Sequence, residues 1–332
     1  MLRHPSFGGR MDLSPSHFVY CANSRQRKVR KSPRWDDDEG VAATVGTIMT
    51  ILVFLTFMGV FTSQIVPAWM SDNESAHMTQ AVQQMISLKS DIDGLIVDYA
   101  NSLIAPTPIV VPVMLSATGI PVFAAPTSGI LSFIPETMVG RPSFNTNYTV
   151  DLEADDGHSG GSLRLYCPNR YFVEQHVIYE AGAVIINQTD GEFIITGIPL
   201  AVKEYNGVKV MQMTQVSLVG LNKTVGGTGA KAVNANLLYA STIEYEGSAS
   251  TDVTVTITTK HGIAWANYFR KALNSTTADL TYGTDFVVPN PTKYDFPGTV
   301  NDYYIVTVTV YGVGVFDHTK ASVQLSIGEL GV

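Results

Sequence analysis

The residues able to do chemistry are few and scattered. Gly157-His158-Ser159-Gly160-Gly161 fits G-x-S-x-G, the pattern that in hydrolases sets a nucleophilic serine on a strained strand-to-helix turn. Strand-like YTVDLE precedes it and strand-like SLRLYC follows, so the helix is missing and a polar hairpin loop is expected. Asp151, Glu153, Asp155 and Asp156 offer the hard oxygen ligands that calcium prefers, but D-x-E-x-D-D-G lacks the glutamate that closes an EF-hand loop. Alternating carboxylates on the wet face of a strand account for the same residues. The Gly-rich run Gly226 to Lys231 satisfies neither G-x-x-x-x-G-K-[ST] nor G-x-G-x-x-G, and reads as an exposed loop. The seven histidines form no H-x-x-x-H pair and no Cys/His set with zinc spacing. Glu174, His176 and Glu180 lie near one another in sequence, yet nothing requires them to meet. Cys167, between Tyr166 and Pro168, has only Arg164 and Arg170 as basic neighbours and reads as a small buried apolar residue. Trp265 reads as core. These patterns name no catalytic residue, no cofactor and no metal ligand, and the expectation is a protein that is not an enzyme.

What organises the chain is a stretch without charge. From Val41 to Ser71 there is no Asp, Glu, Lys, Arg or His, and the centre reads GTIMTILVFLTFMGVFTSQIV. A bilayer core of about 30 Å needs about 20 such residues in a helix. The run is apolar all round, whereas a core helix of a soluble protein keeps a polar face. It predicts a single transmembrane helix over 41–71, with membrane lipid as its partner.

Charge sets the expected orientation. Of the 21 Lys and Arg and 29 Asp and Glu, eight and five fall in residues 1–40, so the remainder carries a net charge of −11. The basic residues cluster in RQRKVRK, Arg25 to Lys31, and positive residues close to a span stay cytoplasmic. This places the N-terminus inside and the C-terminal portion outside, in a single-pass cell-membrane protein. Trp35 and Trp69 bracket the run as interfacial aromatics do. The acidic exterior argues against nucleic acid as a partner. Cys21 and Cys167 fall on opposite sides of the membrane and cannot pair. The N-x-S/T sequons at Asn73, Asn147, Asn187, Asn222 and Asn274 all lie on the outer side, as sites of N-glycosylation would.

The order DDDEG followed by VAATVGTIMTILVFL resembles the class III signal peptides of archaeal type IV pilin-like proteins. The resemblance implies cleavage by a prepilin peptidase between Gly40 and Val41, leaving the apolar segment as the new N-terminus. It also implies contacts between anchor helices of neighbouring pilin-like subunits. The sequence departs from the pattern at Glu39, where a basic residue is usual, and carries Val45 where bacterial pilins have Glu. A leader of this length also fits a start at Met11. The run Asn169 to Gly191 looks like a segment of large archaeal pilin-like surface proteins, in which a strand pair turns at Tyr-Glu and Gly-Ala.

Beyond the span, Met78, Val82, Met85, Ile92, Ile96, Tyr99 and Leu103 recur at helical steps, interrupted at Lys89, with Ala81, Leu88 and Leu95 widening the stripe. The helix is expected to continue outward as an amphipathic rod, kinked or broken at Pro67 and ended by Pro106, Pro108 and Pro112. Its apolar face is expected to cover its own head. From Ile109 the period switches to strands: Val110 to Leu115, Tyr148 to Glu153, Ser162 to Tyr166, Val177 to Asn187, Phe193 to Ile198, Lys209 to Val219, Ala235 to Ala240, Thr251 to Thr259, Asp302 to Val313 and Ala321 to Ile327, with one helix at Gly262 to Leu273. The expected fold class is α+β, a long N-terminal transmembrane and amphipathic helix followed by an antiparallel β-sandwich-like head. The expected divisions are a disordered cytoplasmic leader over 1–40, the transmembrane helix over 41–71, a stalk over 72–105 and an extracellular head over 106–332. The function expected from all this is a membrane-anchored cell-surface protein with a structural or adhesive role. The alternative is an uncleaved single-pass protein whose outer domain binds a ligand or partner protein.

Overall fold

A computed structural model describes residues 37–102, 104, 106–136, 147–151, 157–246, 251–295 and 302–329. The expected position Leu103 and the acidic residues Glu153, Asp155 and Asp156 lie outside the described residues. The chain divides into two units, with the boundary in sequence between Phe57 and Met58.

A long helix opens the described chain: α1 (Asp37–Val60), a π-helical turn (Phe61–Ile65) and α2 (Val66–Ser102). Residues 41 to 60 are apolar and none of them is buried. The threonines among them are tied to their own helix. Thr50 Oγ1 donates to the Gly46 carbonyl at 2.8 Å and Thr56 Oγ1 to the Val53 carbonyl at 2.8 Å. Such bonds satisfy the hydroxyl donors within the helix itself. The helix does not break at Pro67. A proline leaves a carbonyl one turn earlier without its donor, and here the π-helical turn lies just ahead of it, with the Val66 N–H bonded to the Phe61 carbonyl. Widening the turn absorbs the misfit that the sequence alone presents as a kink or break.

The second unit carries the strands. In chain order they are β1 (Ile109–Met114), β2 (Gly129–Ile134), β3 (Asn147–Asp151), β4 (Gly157–Gly160), β5 (Ser162–Cys167), β6 (Gln175–Glu180), β7 (Ala183–Gln188), β8 (Gly191–Thr196), β9 (Leu200–Tyr205), β10 (Val208–Gly220), β11 (Lys223–Gly227), β12 (Ala230–Glu246) and β13 (Val253–Thr259). Helix α3 (Gly262–Asn274) follows, and β14 (Phe286–Val287), β15 (Thr292–Asp295), β16 (Asp302–Val310) and β17 (Val313–Glu329) complete the set. They form three sheets, ordered β1-β12-β17-β10-β9, β11-β2-β5-β6-β7-β8, and β14-β16-β13-β3-β4 with β15 also on β16. Among the described residues, all pairings between these strands are antiparallel except β10 with β17. The expected single strand Val177 to Asn187 is a hairpin, because Ala181 and Gly182 both take positive φ, 49° and 85°, the backbone of a tight type I′ turn.

Two long strands string two cores together. The first core gathers Met78, Met85, Leu88 and Ile92 of α2 against Val113, Phe133, Leu165, Val177, Val216, Val233 and Val323. The second gathers Trp265 and Phe269 of α3 with Ile178, Ile185, Met211, Val255, Val306 and Phe316. β10 and β17 serve both, giving Met211 and Phe316 to one and Leu218 and Leu325 to the other. The amphipathic stripe expected on the stalk is the face α2 buries against the head's own sheets: Met78, Ala81, Val82, Met85, Leu88, Ile92, Leu95 and Ile96 are all buried, and Tyr99 packs beside them. Each Met, Val, Leu and Ile among them contributes about 1.5–3 kcal/mol relative to exposure, so α2 is an integral wall of the head.

Candidate functional site

The residues with the clearest work are polar groups on α2, which fasten the helix to the head. Glu74 is fully buried, and its carboxylate accepts backbone N–H bonds from Arg170 at 3.1 Å, Tyr171 at 2.7 Å and Phe172 at 2.7 Å. Successive N–H groups converging on one anion form a nest, which offsets the cost of burying the charge. Edge strand β1 is held next to it. His77 Nε2 lies 3.0 Å from the Met114 carbonyl, and the Met114 N–H donates to Gln84 Oε1 at 2.9 Å. Because a carbonyl only accepts, the proton of neutral His77 sits on Nε2, and the buried Nδ1 has no partner. Burial outweighs the raising influence of the Met114 bond and of Glu74, and holds the His77 pKa below its ordinary value. Lys89, the one interruption of the stripe, is buried and paired with Asp93 a turn later; burial pushes the Asp93 carboxyl up against the lowering effect of Lys89.

On the second sheet a polar row crosses four strands. Tyr166 pairs with His176, His176 with Asn187 and Asn187 with Glu192. The Tyr166 and His176 rings stack at 4.6 Å, and the Tyr166 hydroxyl bonds Glu174. Burial holds His176 below its ordinary pKa, against the raising influence of Glu174. His261, just before α3, lies 2.8 Å from Glu192 Oε2, while Glu192 Oε1 accepts the Ile263 and Ala264 N–H groups at 3.1 and 3.2 Å. Glu192 therefore caps the start of α3, where unpaired N–H groups favour an anion. Deeper in, the fully buried Glu180 accepts from Thr259 Oγ1 at 2.7 Å and the Trp265 indole at 2.8 Å. Glu174, His176 and Glu180 do not converge: Glu174 and His176 each engage Tyr166, while Glu180 lies about 13 Å along the strand from His176, beneath Trp265.

The remaining motifs resolve into structure. Ser159 sits in strand β4, paired with β3, and no strand-to-helix turn surrounds it. Its buried Oγ accepts from Gln215 Nε2 at 2.9 Å, and Gln215 Oε1 lies 2.8 Å from His318 Nε2. The three side chains form a buried polar link where β10 and β17 pass from one core to the other. Gly226 and Gly227 end β11, Lys231 is spent on Glu329 at 2.5 Å, and the Gly229 carbonyl accepts the Leu115 N–H. Cys167 is buried beside the Leu115 carbonyl, and desolvation pushes its thiol up to about 12. Trp265 is core, stacked on Phe269 at 5.7 Å. Among the described residues no group of three or more His, Cys, Asp or Glu is placed to hold a metal ion.

The positions expected to be modified are spread along the chain. Gly40 and Val41 lie within α1, and Val41 is exposed. Asn73, Asn222 and Asn274 are exposed; Asn187 is half-buried, its Nδ2 3.4 Å from His261 Nδ1; Asn147 lies in β3. Sequence reasoning missed Glu74, His77, Gln84 and Glu192. Glu74 and His77 fall on the stalk's buried face, and a helical pattern broken by charge there is the signal that marks them. Compared with known proteins, the chain matches no family model, no curated protein and no solved structure.

Proposed function

We propose that this is a non-enzymatic, membrane-anchored archaeal cell-surface protein of the pilin-like class, with a structural or adhesive role. The observation that carries the reading is the contrast along one helix. Residues 41 to 60 are apolar on every side and none of them is buried among the described residues, while from Val66 onward one face of the same helix is buried against the strands. Lipid, or the anchor helices of other pilin-like subunits, is the cover this segment calls for. The basic cluster at Arg25 to Lys31 and the acidic remainder support a cytoplasmic N-terminus and an extracellular head. Gly40 directly before the apolar segment supports cleavage there by a prepilin peptidase. Mass spectrometry of the mature N-terminus tests the reading: a chain beginning at Val41 is expected, and one beginning at Met1 or Met11 removes the pilin assignment.

The half-buried row Tyr166, His176, Asn187 and Glu192 favours a second reading, an uncleaved single-pass protein whose outer domain binds a ligand or partner protein. That reading predicts monomers after detergent extraction and no filaments by electron microscopy.

A further inference from the structure

We infer that the loop Gly119 to Pro126 is a second membrane contact, inserting its apolar tip into the outer lipid interface beside the anchor helix; this rests on the membrane-anchored reading above. The loop is closed by the Ala124 N–H, which donates to the Ile120 carbonyl at 2.9 Å. At its tip Val122 is fully exposed and Phe123 is 44% exposed, with exposed Pro121 beside them. Exposed turns in water are built from Gly, Asn, Asp and Ser, which supply positive φ or solvated polar groups. Here a β-branched valine holds φ at 71°, a conformation L-residues of that shape rarely adopt. The loop also lies inside a second stretch without charge, since no Asp, Glu, Lys, Arg or His occurs from Tyr99 to Pro135.

Its attachment says what covers it. The Phe123 ring packs edge-on against Phe61 at 5.2 Å, Phe61 packs in the same way on Trp69 at 5.8 Å, and Asn73 Nδ2 donates to the Thr118 carbonyl at 3.3 Å. A span of about 20 residues beginning at Val41 ends near Val60, so Phe61 stands at the outer edge of the hydrocarbon. The first charge beyond it, Asp72, is about 16 Å further along the helix. Phe61, Trp69 and Phe123 thus form an aromatic cluster at the depth where amphipathic rings settle. The loop lies against the helix at Phe61, and lipid is the occupant that meets both Phe61 and the loop tip.

The full-length chain, with Cys21→Ser and Cys167 left buried, is given single cysteines at position 57 (Phe57→Cys), 122 (Val122→Cys) or 205 (Tyr205→Cys). Each is labelled with an environment-sensitive fluorophore and reconstituted into phosphatidylcholine vesicles containing acyl-chain spin-labelled lipid. Position 205 is the control: it pairs with Val208 at the β10 end nearest Val313, whereas the loop follows Met114, opposite the Glu329 end of β17. Quenching at 57 and 122 several-fold above that at 205 is the expected result. Quenching at 57 with none at 122 overturns the loop contact and leaves the anchor standing, whereas no quenching at 57 removes the anchored reading itself. A label at 122 shielded from iodide but unquenched by lipid, with cross-linking between 122 positions, reports a second copy and also overturns the inference.

Discussion

The Glu74 carboxylate on α2 accepts the Tyr171 backbone N–H at 2.7 Å, joining residues 97 apart in sequence. The bond lies between the helix that continues from the apolar segment and a loop of the second sheet, so it ties that helix to the head. Replacing Glu74 by Ala leaves three N–H groups without their anion. Hydrogen bonds to a charged group contribute about 1.5–3 kcal/mol, and partial relaxation of the loop recovers some of the total. The expected loss is about 2–4 kcal/mol in denaturant unfolding of the detergent-solubilised chain, with faster proteolysis at 170–174. Glu74→Gln is expected to fall between, and unchanged unfolding in both variants would show that the nest contributes nothing.

His77 makes the same junction sensitive to acid. Its folded pKa lies below the ordinary 6.5, so the unfolded chain takes up the proton first. Stability is therefore present above about 6.5 and is lost as pH falls from 6.5 toward the folded value. His176, also lowered, acts in the same direction, while Asp93, raised by burial, opposes them at the acid end by favouring the folded state as it protonates. Thermal unfolding between pH 7.5 and 5.5 should show a falling midpoint. In His77→Gln, whose amide can still donate to Met114, that slope should be shallower; an identical slope would exclude His77 as a contributor.

Trp265 is predicted to matter as a donor as well as a ring. Trp265→Phe keeps most of the apolar volume but withdraws the indole N–H from fully buried Glu180. A buried acceptor deprived of one partner costs about 1–3 kcal/mol. Thr259→Val removes the other donor shown on Glu180, and the two changes act on one carboxylate, so their effects are expected to be non-additive in a double-mutant cycle.

Cys167 should be inert in the folded chain. With its thiol pushed up to about 12 by desolvation, little thiolate exists at neutral pH. Labelling with iodoacetamide in a Cys21→Ser background is expected only on addition of denaturant, and the labelling midpoint should coincide with unfolding of the first core. Rapid labelling of the native chain would place the thiol in solvent.

The long apolar helix, the stalk's buried stripe and the α+β class were legible because each is a periodic or continuous property of neighbouring residues. Charge absence over Val41 to Ser71 defines the apolar helix, and the three- and four-residue steps from Met78 to Tyr99 match the face that α2 buries. The alternating runs expected at Thr251 to Thr259 and Asp302 to Val313 appear as β13 and β16 for the same local reason, although β16 ends at Val310 and Val313 already belongs to β17. β2, β4, β9, β11, β14 and β15 escaped notice, β4 on residues expected to form a hairpin loop. They are short, and some find their partners far off in sequence, as β11 meets β2 with Lys223 opposite Phe133, while β9 forms a hairpin with β10 through the Asn206-Gly207 turn. The strand order, the parallel pairing of β10 with β17 and the division into two cores depend on which surfaces meet, and periodicity carries no record of that. Nor does it record that Glu74 finds three amides, that Ser159 accepts the Gln215 amide N–H, or that Phe123 rests on Phe61. A residue's type limits the partners it needs; only the folded chain, by bringing remote backbone and side chains within 3 to 6 Å, decides which partner it gets.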